Sequence, residues 1–195
     1  MLLKFCGLTR EKDARFATTC GADFVGAIIV PASKRYVTAE QARRLFEAAS
    51  PAKGVLVVRD MPLDELQKTI DFVHPHAGQL HGSETADYAL SLHGTHIWKA
   101  FNVNRLESVQ MALDFPAELI VADSGGGTGT TCDWSRAAEL AKCRPVFLAG
   151  GITSDNVREA IEAVRPAGID LAGGVESAPG IKDHAKMARL ASLVH

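Results

Sequence analysis

Side chains able to do acid–base and anion-binding chemistry follow the short apolar runs of this sequence, at the positions where β-strands would end. They are Cys6, Arg35, Gln79, His81, Asp123, Asp170 and the glycine pairs Gly150–Gly151 and Gly173–Gly174. A thiol and a carboxyl can move protons on a substrate, and a guanidinium can hold a carboxylate through two parallel hydrogen bonds. Glycines let backbone N–H groups approach a phosphate closely. The set therefore predicts acid–base chemistry on a phosphorylated substrate that carries a second anion.

Each of these residues, taken alone, has a more common structural explanation. A single cysteine on a strand is usually a small buried apolar side chain, and an aspartate before glycines is often a turn residue. A thiol acts as a base only if its pKa falls towards neutrality, and a carboxyl acts as an acid only if its pKa is raised. The functional interpretation therefore depends on all of them lying on one face of the fold.

Short apolar or β-branched runs alternate with longer amphipathic stretches along the chain. The predicted strands are Leu2–Cys6, Asp23–Val30, Gly54–Val58, Ala77–Leu80, His96–Phe101, Leu119–Asp123, Pro145–Ala149 and Ile169–Ala172. The predicted helices include Glu11–Thr19, Ala39–Ala48, Leu63–Val73 and Asn156–Val164. Thr38 and Gln41 have the spacing of a capping box. Gly21, Gly54 and Gly168 precede strands, which predicts that they end helices in left-handed backbone.

Strict alternation of strands and helices leaves a closed (β/α)₈ barrel or an open doubly wound sheet as the main alternatives. The glycine-rich turns follow the seventh and eighth predicted strands, where barrels commonly bind phosphate, whereas an open dinucleotide-binding sheet carries them after the first. We therefore predict an α/β fold, a minimal TIM barrel formed by residues 1–195 as a single domain. The carboxyl ends of its strands would bring the candidate residues together.

Composition limits what such a barrel could bind. The 195 residues carry 21 Lys and Arg against 23 Asp and Glu, and 47% are hydrophobic. This balance gives no basic surface for nucleic acid or an anionic membrane. Four widely spaced cysteines form no metal-binding or redox motif, and the first residues lack the pattern of a signal peptide. We expect a cytoplasmic monomer that binds a small phosphorylated molecule and uses no metal or cofactor.

Six ordered motifs carry a resemblance to a known enzyme family. They are Lys4–Thr9, Ser33–Val37, Gln79–Gly82, Gly126–Gly129 with Asp133–Trp134, Leu148–Ile152 with Asn156–Val157, and Gly174–Asp183. Together they extend over the chain from end to end at spacings similar to those of the family. On these motifs the sequence resembles phosphoribosylanthranilate isomerase of tryptophan biosynthesis.

The resemblance implies a cofactor-free Amadori rearrangement of an aminoaldose to an aminoketose. Cys6 would be the general base that removes the proton from C2′ of the ribose. Asp123 would be the general acid that protonates the furanose ring oxygen and opens the sugar. The remaining contacts implied are Arg35 at the anthranilate carboxylate, Gln79, His81 and Asp170 at the ribose, and Gly150–Gly151 with Gly173–Gly174 at the 5′-phosphate.

The sequence departs from the family pattern at a few positions. The loop after Asp123 is shorter than the family usually shows. Ala172 and Gly173 stand where the family usually has serines, so a hydroxyl contact to phosphate is lost while backbone donors remain. Gly78 replaces a valine in the fourth predicted strand. We interpret these changes as drift in an active enzyme.

Two other functions stay open from the residues alone. One is another phosphosugar isomerase or epimerase on the same barrel, for which a carboxylate or metal-binding histidines would replace Cys6 at the strand ends. The other is a non-catalytic barrel that binds a phosphorylated metabolite, since a fold alone does not establish a function. Such a barrel would keep the phosphate glycines and lose the acid and the base.

Overall fold

Eight parallel strands form a closed barrel in this computed structural model, which describes residues 1–125 and 131–195. The Gly126–Gly129 motif lies outside the described residues. The strands are β1 (Leu2–Phe5), β2 (Phe24–Ile28), β3 (Lys53–Val58), β4 (Ala77–Leu80), β5 (His96–Asn102), β6 (Leu119–Asp123), β7 (Val146–Leu148) and β8 (Gly168–Leu171). Each strand pairs with the next, and β1 pairs with β8 so that Leu2 lies opposite Gly168. The predicted TIM barrel is confirmed, and the open sheet is excluded.

Helices follow the strands in turn and cover the outside of the barrel. They are α1 (Glu11–Thr19), α2 (Ala39–Ala48), α3 (Leu63–Val73), α4 (Ala86–Leu90), α5 (Leu106–Asp114), α6 (Trp134–Cys143), α7 (Val157–Val164) and α8 (His184–Val194). A 3₁₀ turn (Gly173–Val175) and a small antiparallel pair, β9 (Glu176–Ala178) and β10 (Ile181–Lys182), follow β8. Over the described ranges, none of the helices is both long and apolar enough to cross a membrane.

The predicted helix boundaries agree closely with the structure because local signals set them. Helices α1, α2 and α3 have the predicted bounds, and α7 begins one residue later because Asn156 is its N-cap. The capping box at α2 is confirmed. The backbone N–H of Gln41 donates to Oγ1 of Thr38 at 3.3 Å, and the N–H of Thr38 donates to Oε1 of Gln41 at 2.8 Å. These two bonds satisfy donors that the first turn leaves free.

Two of the three glycines predicted to end helices have a different role. Gly21 does have left-handed backbone after α1, with φ of 76°. Gly54 and Gly168 instead lie inside β3 and β8, so the prediction is wrong for them. A Cβ at Gly54 would overlap the ring of Phe46, and one at Gly168 would lie 2.5 Å from Cζ of Phe147. An aromatic ring packed against the strand backbone requires glycine at both positions.

The barrel interior divides into an apolar base and a polar upper half. Phe24, Trp98 and Phe147 pack together inside the barrel, with ring centroids 5.0 to 5.7 Å apart. A second and larger apolar cluster fills the space between the strands and the helices. Side chains alternate between these two clusters along β6 and β7, as the pleat of a strand requires. The aromatic base leaves the interior positions near the carboxyl ends of the strands for polar groups.

Candidate active site

A cavity of about 720 Å³ opens at the carboxyl ends of the barrel strands. Every residue that the sequence analysis singled out lines it, namely Cys6, Arg35, Gln79, His81, Asp123, Gly150, Gly151, Asp170, Gly173 and Gly174. A second cavity of about 480 Å³ lies at the opposite end, around His76 and His96, and contains none of these residues. The larger cavity is therefore the candidate active site.

The thiol of Cys6 lies directly after β1 and is almost completely buried. The backbone N–H of Cys6 donates to the carbonyl oxygen of Leu171 at 2.8 Å, which fixes the residue beside β8. Burial raises the pKa of this thiol, Asp170 adds to the increase, and the positive charges of Lys4 and Lys182 oppose it. The net effect is a pKa above the ordinary value of 9.0, so Cys6 is mostly a neutral thiol in the free protein near pH 7.

Lys4 is one of the charged residues that the sequence analysis did not select. It lies on β1 two residues before Cys6, and its side chain is fully buried inside the barrel. Its Nζ donates to Oδ2 of Asp170 at 2.8 Å and to Oε1 of Gln79 at 2.6 Å. Burial works against the charged ammonium, but attraction to the Asp170 carboxylate, and to Cys6 when it is ionised, outweighs burial, and the pKa of Lys4 is raised. Lys4 is therefore a fixed positive charge below the cavity.

Gln79 connects Lys4 to the carboxyl on the other side of the cavity. Because Oε1 of Gln79 accepts from Lys4, its Nε2 is the donor towards Nδ1 of His81, 3.4 Å away. A neutral His81 then carries its proton on Nε2, which lies 3.2 Å from Oδ2 of Asp123. Asp123 ends β6, is 6% exposed, and accepts from the N–H of Ser124 at 2.7 Å. The carboxyl of Asp123 thus lies beside an imidazole with which it can exchange a proton.

Arg35 lies in the loop after β2 and already contacts a carboxylate of the protein. Its Nε and Nη2 donate to the two oxygens of Glu176 at 2.8 and 2.7 Å. Glu176 also accepts from Nζ of Lys182 at 3.1 Å. Burial raises the pKa of Glu176, but the two cations outweigh it, so the pKa is lowered and the carboxylate stays ionised. Among the described residues, Nη1 of Arg35 has no hydrogen-bond partner, so this group is available to a bound anion.

The glycine-rich turns after β7 and β8 form one corner of the cavity. Gly150 and Gly151 both have left-handed backbone, with φ of 79° and 65°, and their N–H groups donate to no described residue. A Cβ at Gly174 would overlap the carbonyl oxygen of Ile152, so the two turns touch only because this position is glycine. Gly173 has more room, since the nearest atom to its Cβ position is Nη2 of Arg35 at 3.6 Å. Free backbone N–H groups in consecutive left-handed residues form a concavity that favours a bound anion.

The site thus combines a thiol, a carboxyl paired with an imidazole, a partly engaged guanidinium and a backbone cradle for an anion. Across residues 1–125 and 131–195, no group of three or more His, Cys, Asp or Glu side chains is arranged to hold a metal ion. The side chains of the cavity can move protons at two separate points of one anionic substrate.

A family model for N-(5'phosphoribosyl)anthranilate (PRA) isomerase matches residues 3–192. The chain belongs to the phosphoribosylanthranilate isomerase family. An N-(5'-phosphoribosyl)anthranilate isomerase from Geobacter metallireducens is 38% identical over 193 residues, which are 95% of this chain and 94% of the relative. One from Cellvibrio japonicus is 39% identical over 197 residues, covering 96% and 90%. The family expected from the six motifs is confirmed.

Solved structures of phosphoribosylanthranilate isomerases have the same architecture. The enzyme from Thermus thermophilus superimposes with a TM-score of 0.92 at 35% identity, over 99% of this chain and 98% of that one. A phosphoribosylanthranilate isomerase in complex with reduced 1-(o-carboxyphenylamino)-1-deoxyribulose 5-phosphate gives a TM-score of 0.90 at 32% identity, over 100% and 98%. A third, from Thermotoga maritima, is described as monomers generated from a dimeric isomerase, with a TM-score of 0.91 at 33% identity over 100% and 98%.

The sequence-based candidates did not include Lys34 and Arg59, which line the cavity. They also did not include three buried charged residues that contact the candidates or their partners: Lys4, Glu176 and Lys182. Lys4 could have been found from the sequence. It lies two positions before Cys6, and residues two apart on a strand point to the same face, so Lys4 and Cys6 would be expected to face the same side. Glu176 and Lys182 lie in the Gly174–Asp183 motif, but nothing in that motif marks them as charge partners of Arg35. They lie beyond the last barrel strand, and Glu176 meets Arg35 only after the barrel closes. Their charges are paired mainly with each other and with Arg35.

Proposed function

We propose that this isomerase converts N-(5-phosphoribosyl)anthranilate to 1-(2-carboxyphenylamino)-1-deoxyribulose 5-phosphate in tryptophan biosynthesis, without a cofactor. The observation that carries the residue assignments is the presence of a buried thiol and a histidine-paired carboxyl in one cavity. Cys6 follows β1 and Asp123 ends β6, so they approach a bound sugar from different sides. Family membership supports the reaction, and this geometry supports the roles.

Asp123 acts first, as the general acid. Its carboxyl donates a proton to the furanose ring oxygen, and the bond between C1′ and that oxygen breaks. The bonding electrons remain on the oxygen, which becomes a hydroxyl, while C1′ forms a protonated Schiff base with the anthranilate nitrogen. His81, whose Nε2 lies 3.2 Å from Oδ2 of Asp123, stabilises the carboxylate that this step leaves behind.

Cys6 acts second, as the general base. Its thiolate removes the proton from C2′, and the electrons of that C–H bond form the double bond of an enolamine between C1′ and C2′. The iminium charge is thereby neutralised on nitrogen. Loss of the proton from the C2′ hydroxyl and gain of a proton at C1′ then give the ketone. Catalysis needs the form in which Cys6 is a thiolate while Asp123 is a carboxylic acid.

The remaining residues bind and orient the substrate. Nη1 of Arg35 holds the anthranilate carboxylate, and Glu176 holds the guanidinium through its other two nitrogens. The backbone N–H groups of Gly150–Gly151 and Gly173–Gly174 bind the 5′-phosphate. The ribose side is lined by Gln79, His81 and Asp170. Oδ1 of Asp170 is buried and has no hydrogen-bond partner among the described residues, which supports a role as an acceptor for a sugar hydroxyl.

We further propose that residues 1–195 act as a single domain and as a cytoplasmic monomer. The match of the family model to residues 3–192 supports the first point. Four free cysteines, two of them not buried, support a reducing compartment. Light scattering of the purified enzyme tests the monomer, and a mass of two chains would contradict it.

The proposed reaction is tested by fluorescence in the absence of metal and cofactor. A separate transferase generates phosphoribosylanthranilate from anthranilate and phosphoribosyl pyrophosphate, and its disappearance is followed after the purified protein is added. We expect consumption that is lost in Cys6→Ala and in Asp123→Asn, and retained in Cys143→Ala, which removes an exposed thiol. Consumption that survives Asp123→Asn would move the acid to another group, and no consumption by the folded wild-type chain would refute the function.

A further inference from the structure

Lys4 forms a buried ion pair with Asp170 next to the proposed base Cys6, where its charge can act on the chemistry as well as on stability. Its ammonium is buried below the cavity, with Nζ 5.8 Å from the centroid of Trp98 in the aromatic base of the barrel. It is held by Asp170 on one side and Gln79 on the other, at 2.8 and 2.6 Å. A buried cation so fixed acts on its neighbours through a medium of low effective dielectric.

Cys6 and Lys4 converge on the same point of the neighbouring strand. A Cβ built at Gly26 of β2 would lie 2.7 Å from Sγ of Cys6 and 3.2 Å from Cε of Lys4. The sulfur and Cε of Lys4 are therefore less than about 6 Å apart, and the charged Nζ is one bond from that carbon. Lys4 accordingly acts on the Cys6 thiol both through its charge and through a side-chain hydrogen bond, and an opposite charge so near favours the ionised form. The two side chains share one face of β1, because they are two residues apart.

We propose that Lys4 is a positioning residue that stabilises the thiolate form of Cys6 and so makes this thiol available as the base of the isomerisation. Lys4 stays an ammonium throughout and transfers no proton. The proposal rests on the proposed role of Cys6 and names the group that offsets the cost of ionising a buried thiol. Asp170 holds the ammonium in place, and its own negative charge acts on Cys6 in the opposite direction.

Other charged groups also act on Cys6, and we expect their effects on the ionisation of the thiol to be smaller than that of Lys4 or opposite in sign. Besides Lys4 on its own strand, they are Asp170 on β8, Lys182 on β10 and Arg35 in the loop after β2. Lys182 and Arg35 are both engaged by Glu176, which offsets their charge. The Asp170 carboxylate, which is paired with Lys4, also acts on the thiol. Because Lys4 and Asp170 have opposite charges, removing one should shift the thiol ionisation in the opposite direction from removing the other.

The test measures ionisation of the Cys6 thiol in the free enzyme, without substrate. The rate of alkylation by iodoacetamide is followed against pH, and the Cys6 peptide is quantified by mass spectrometry. In Lys4→Met we expect the midpoint to rise by about 1 to 3 pH units, so that alkylation at a fixed lower pH slows roughly ten-fold for each unit. In Asp170→Asn we expect the midpoint to fall. Loss of folding alone does not produce shifts of opposite sign.

Lys99→Met is the matched control. Lys99 is also a buried strand lysine, paired with Glu84 at 2.9 Å, but it lies beside Phe101 and Phe115. It is not among the charged groups that shift the pKa of Cys6. We expect this variant to lose stability without moving the midpoint.

Equal midpoints in wild type, Lys4→Met and Asp170→Asn would overturn the proposal, and so would a midpoint that rises in Lys99→Met as it does in Lys4→Met. If Lys4→Met does not fold, Asp170→Asn decides alone, because an unchanged or higher midpoint there contradicts the paired arrangement. Turnover by the same variants gives a separate result. If the midpoints shift but the wild-type enzyme shows no turnover, the proposed function is refuted and the effect of Lys4 on the thiol stands. If the wild-type enzyme turns over but the midpoints do not shift, only the role of Lys4 is refuted.

Discussion

Gly26 offers a sensitive test of the position of the thiol, because a single methyl group there would displace it. A Cβ at this position would lie 2.7 Å from Sγ of Cys6, 3.1 Å from Cα of Cys6 and 3.2 Å from Cε of Lys4. Relaxed contacts between such atoms are about 3.5 to 4.0 Å. The backbone of Gly26 is ordinary extended strand, so Gly26→Ala introduces steric displacement without left-handed strain.

The expected loss of activity follows from the size of this displacement. Sγ must move by about 1 Å to restore a relaxed contact. A misplacement of this size costs a proton-transfer step about 100-fold, equivalent to about 2.7 kcal/mol of activation free energy. Overpacking lowers the free energy of unfolding by about 1 to 3 kcal/mol. The groups proposed to bind the carboxylate and the phosphate are untouched, so we expect a fall in kcat with little change in KM.

The assay is steady-state turnover by fluorescence, combined with thermal unfolding of the same preparation. Gly78→Ala is the control, because a Cβ there would lie 3.7 Å from Thr95 and 4.0 Å from Ile97, which are ordinary contacts. We expect Gly78→Ala to keep full kcat and to gain about 0.4 to 1 kcal/mol of stability. Wild-type kcat in folded Gly26→Ala, or a loss confined to KM, would show that the thiol is not the positioned base.

Three further predictions concern binding, stability and pH. Arg35→Ala should raise KM roughly 10- to 100-fold through loss of a charge-assisted contact, and Glu176→Gln should raise KM less. Steady-state kinetics measures both values. An unchanged KM in Arg35→Ala would place the binding site of the substrate carboxylate elsewhere. Thr38→Ala should lower the free energy of unfolding by about 1 kcal/mol and Tm by roughly 2 to 4 °C, with unchanged turnover. Burial raises the pKa of Cys132 to about 12, above its ordinary value of 9.0. The contribution of this thiol to the stability of the folded protein is therefore fully present below pH 9 and is lost as the pH rises towards 12. Denaturant unfolding at a series of pH values should therefore show that the free energy of unfolding falls less steeply with pH in Cys132→Ala than in the wild type. Cys143→Ala is the control, and we expect it to have the wild-type slope.

The strands and helices were readable because the signals that define them are local. The bounds of α1, α2 and α3 follow from amphipathic spacing and, at α2, from the capping box of Thr38. The predicted second strand, Asp23–Val30, continues to Val30, but β2 ends at Ile28. The predicted seventh strand included Pro145, which lies outside β7 and has no N–H for the ladder. Such errors of one or two residues do not move the strand ends that carry the site.

The roles of Gly54 and Gly168 could not be read locally. A glycine before an apolar run has the same appearance whether it ends a helix or accommodates a ring. The rings belong to Phe46 on α2 and Phe147 on β7, and they reach these strands only when the barrel is assembled. Close packing between different elements of the fold therefore decided what sequence spacing could not.

By itself the sequence determined the alternation of strands and helices, the end of the barrel at which the site would lie, and the identity of the reactive groups. It did so because parallel strands bring their carboxyl ends to one face and because thiol, carboxyl and guanidinium chemistry belongs to the residue type. Only the tertiary structure decided how the charges are paired. Lys4 meets Asp170 across 166 positions of chain, and Arg35 meets Glu176 across 141. Whether a thiol, a carboxyl or an ammonium is ionised depends on burial and on such partners, and both arise when the barrel closes.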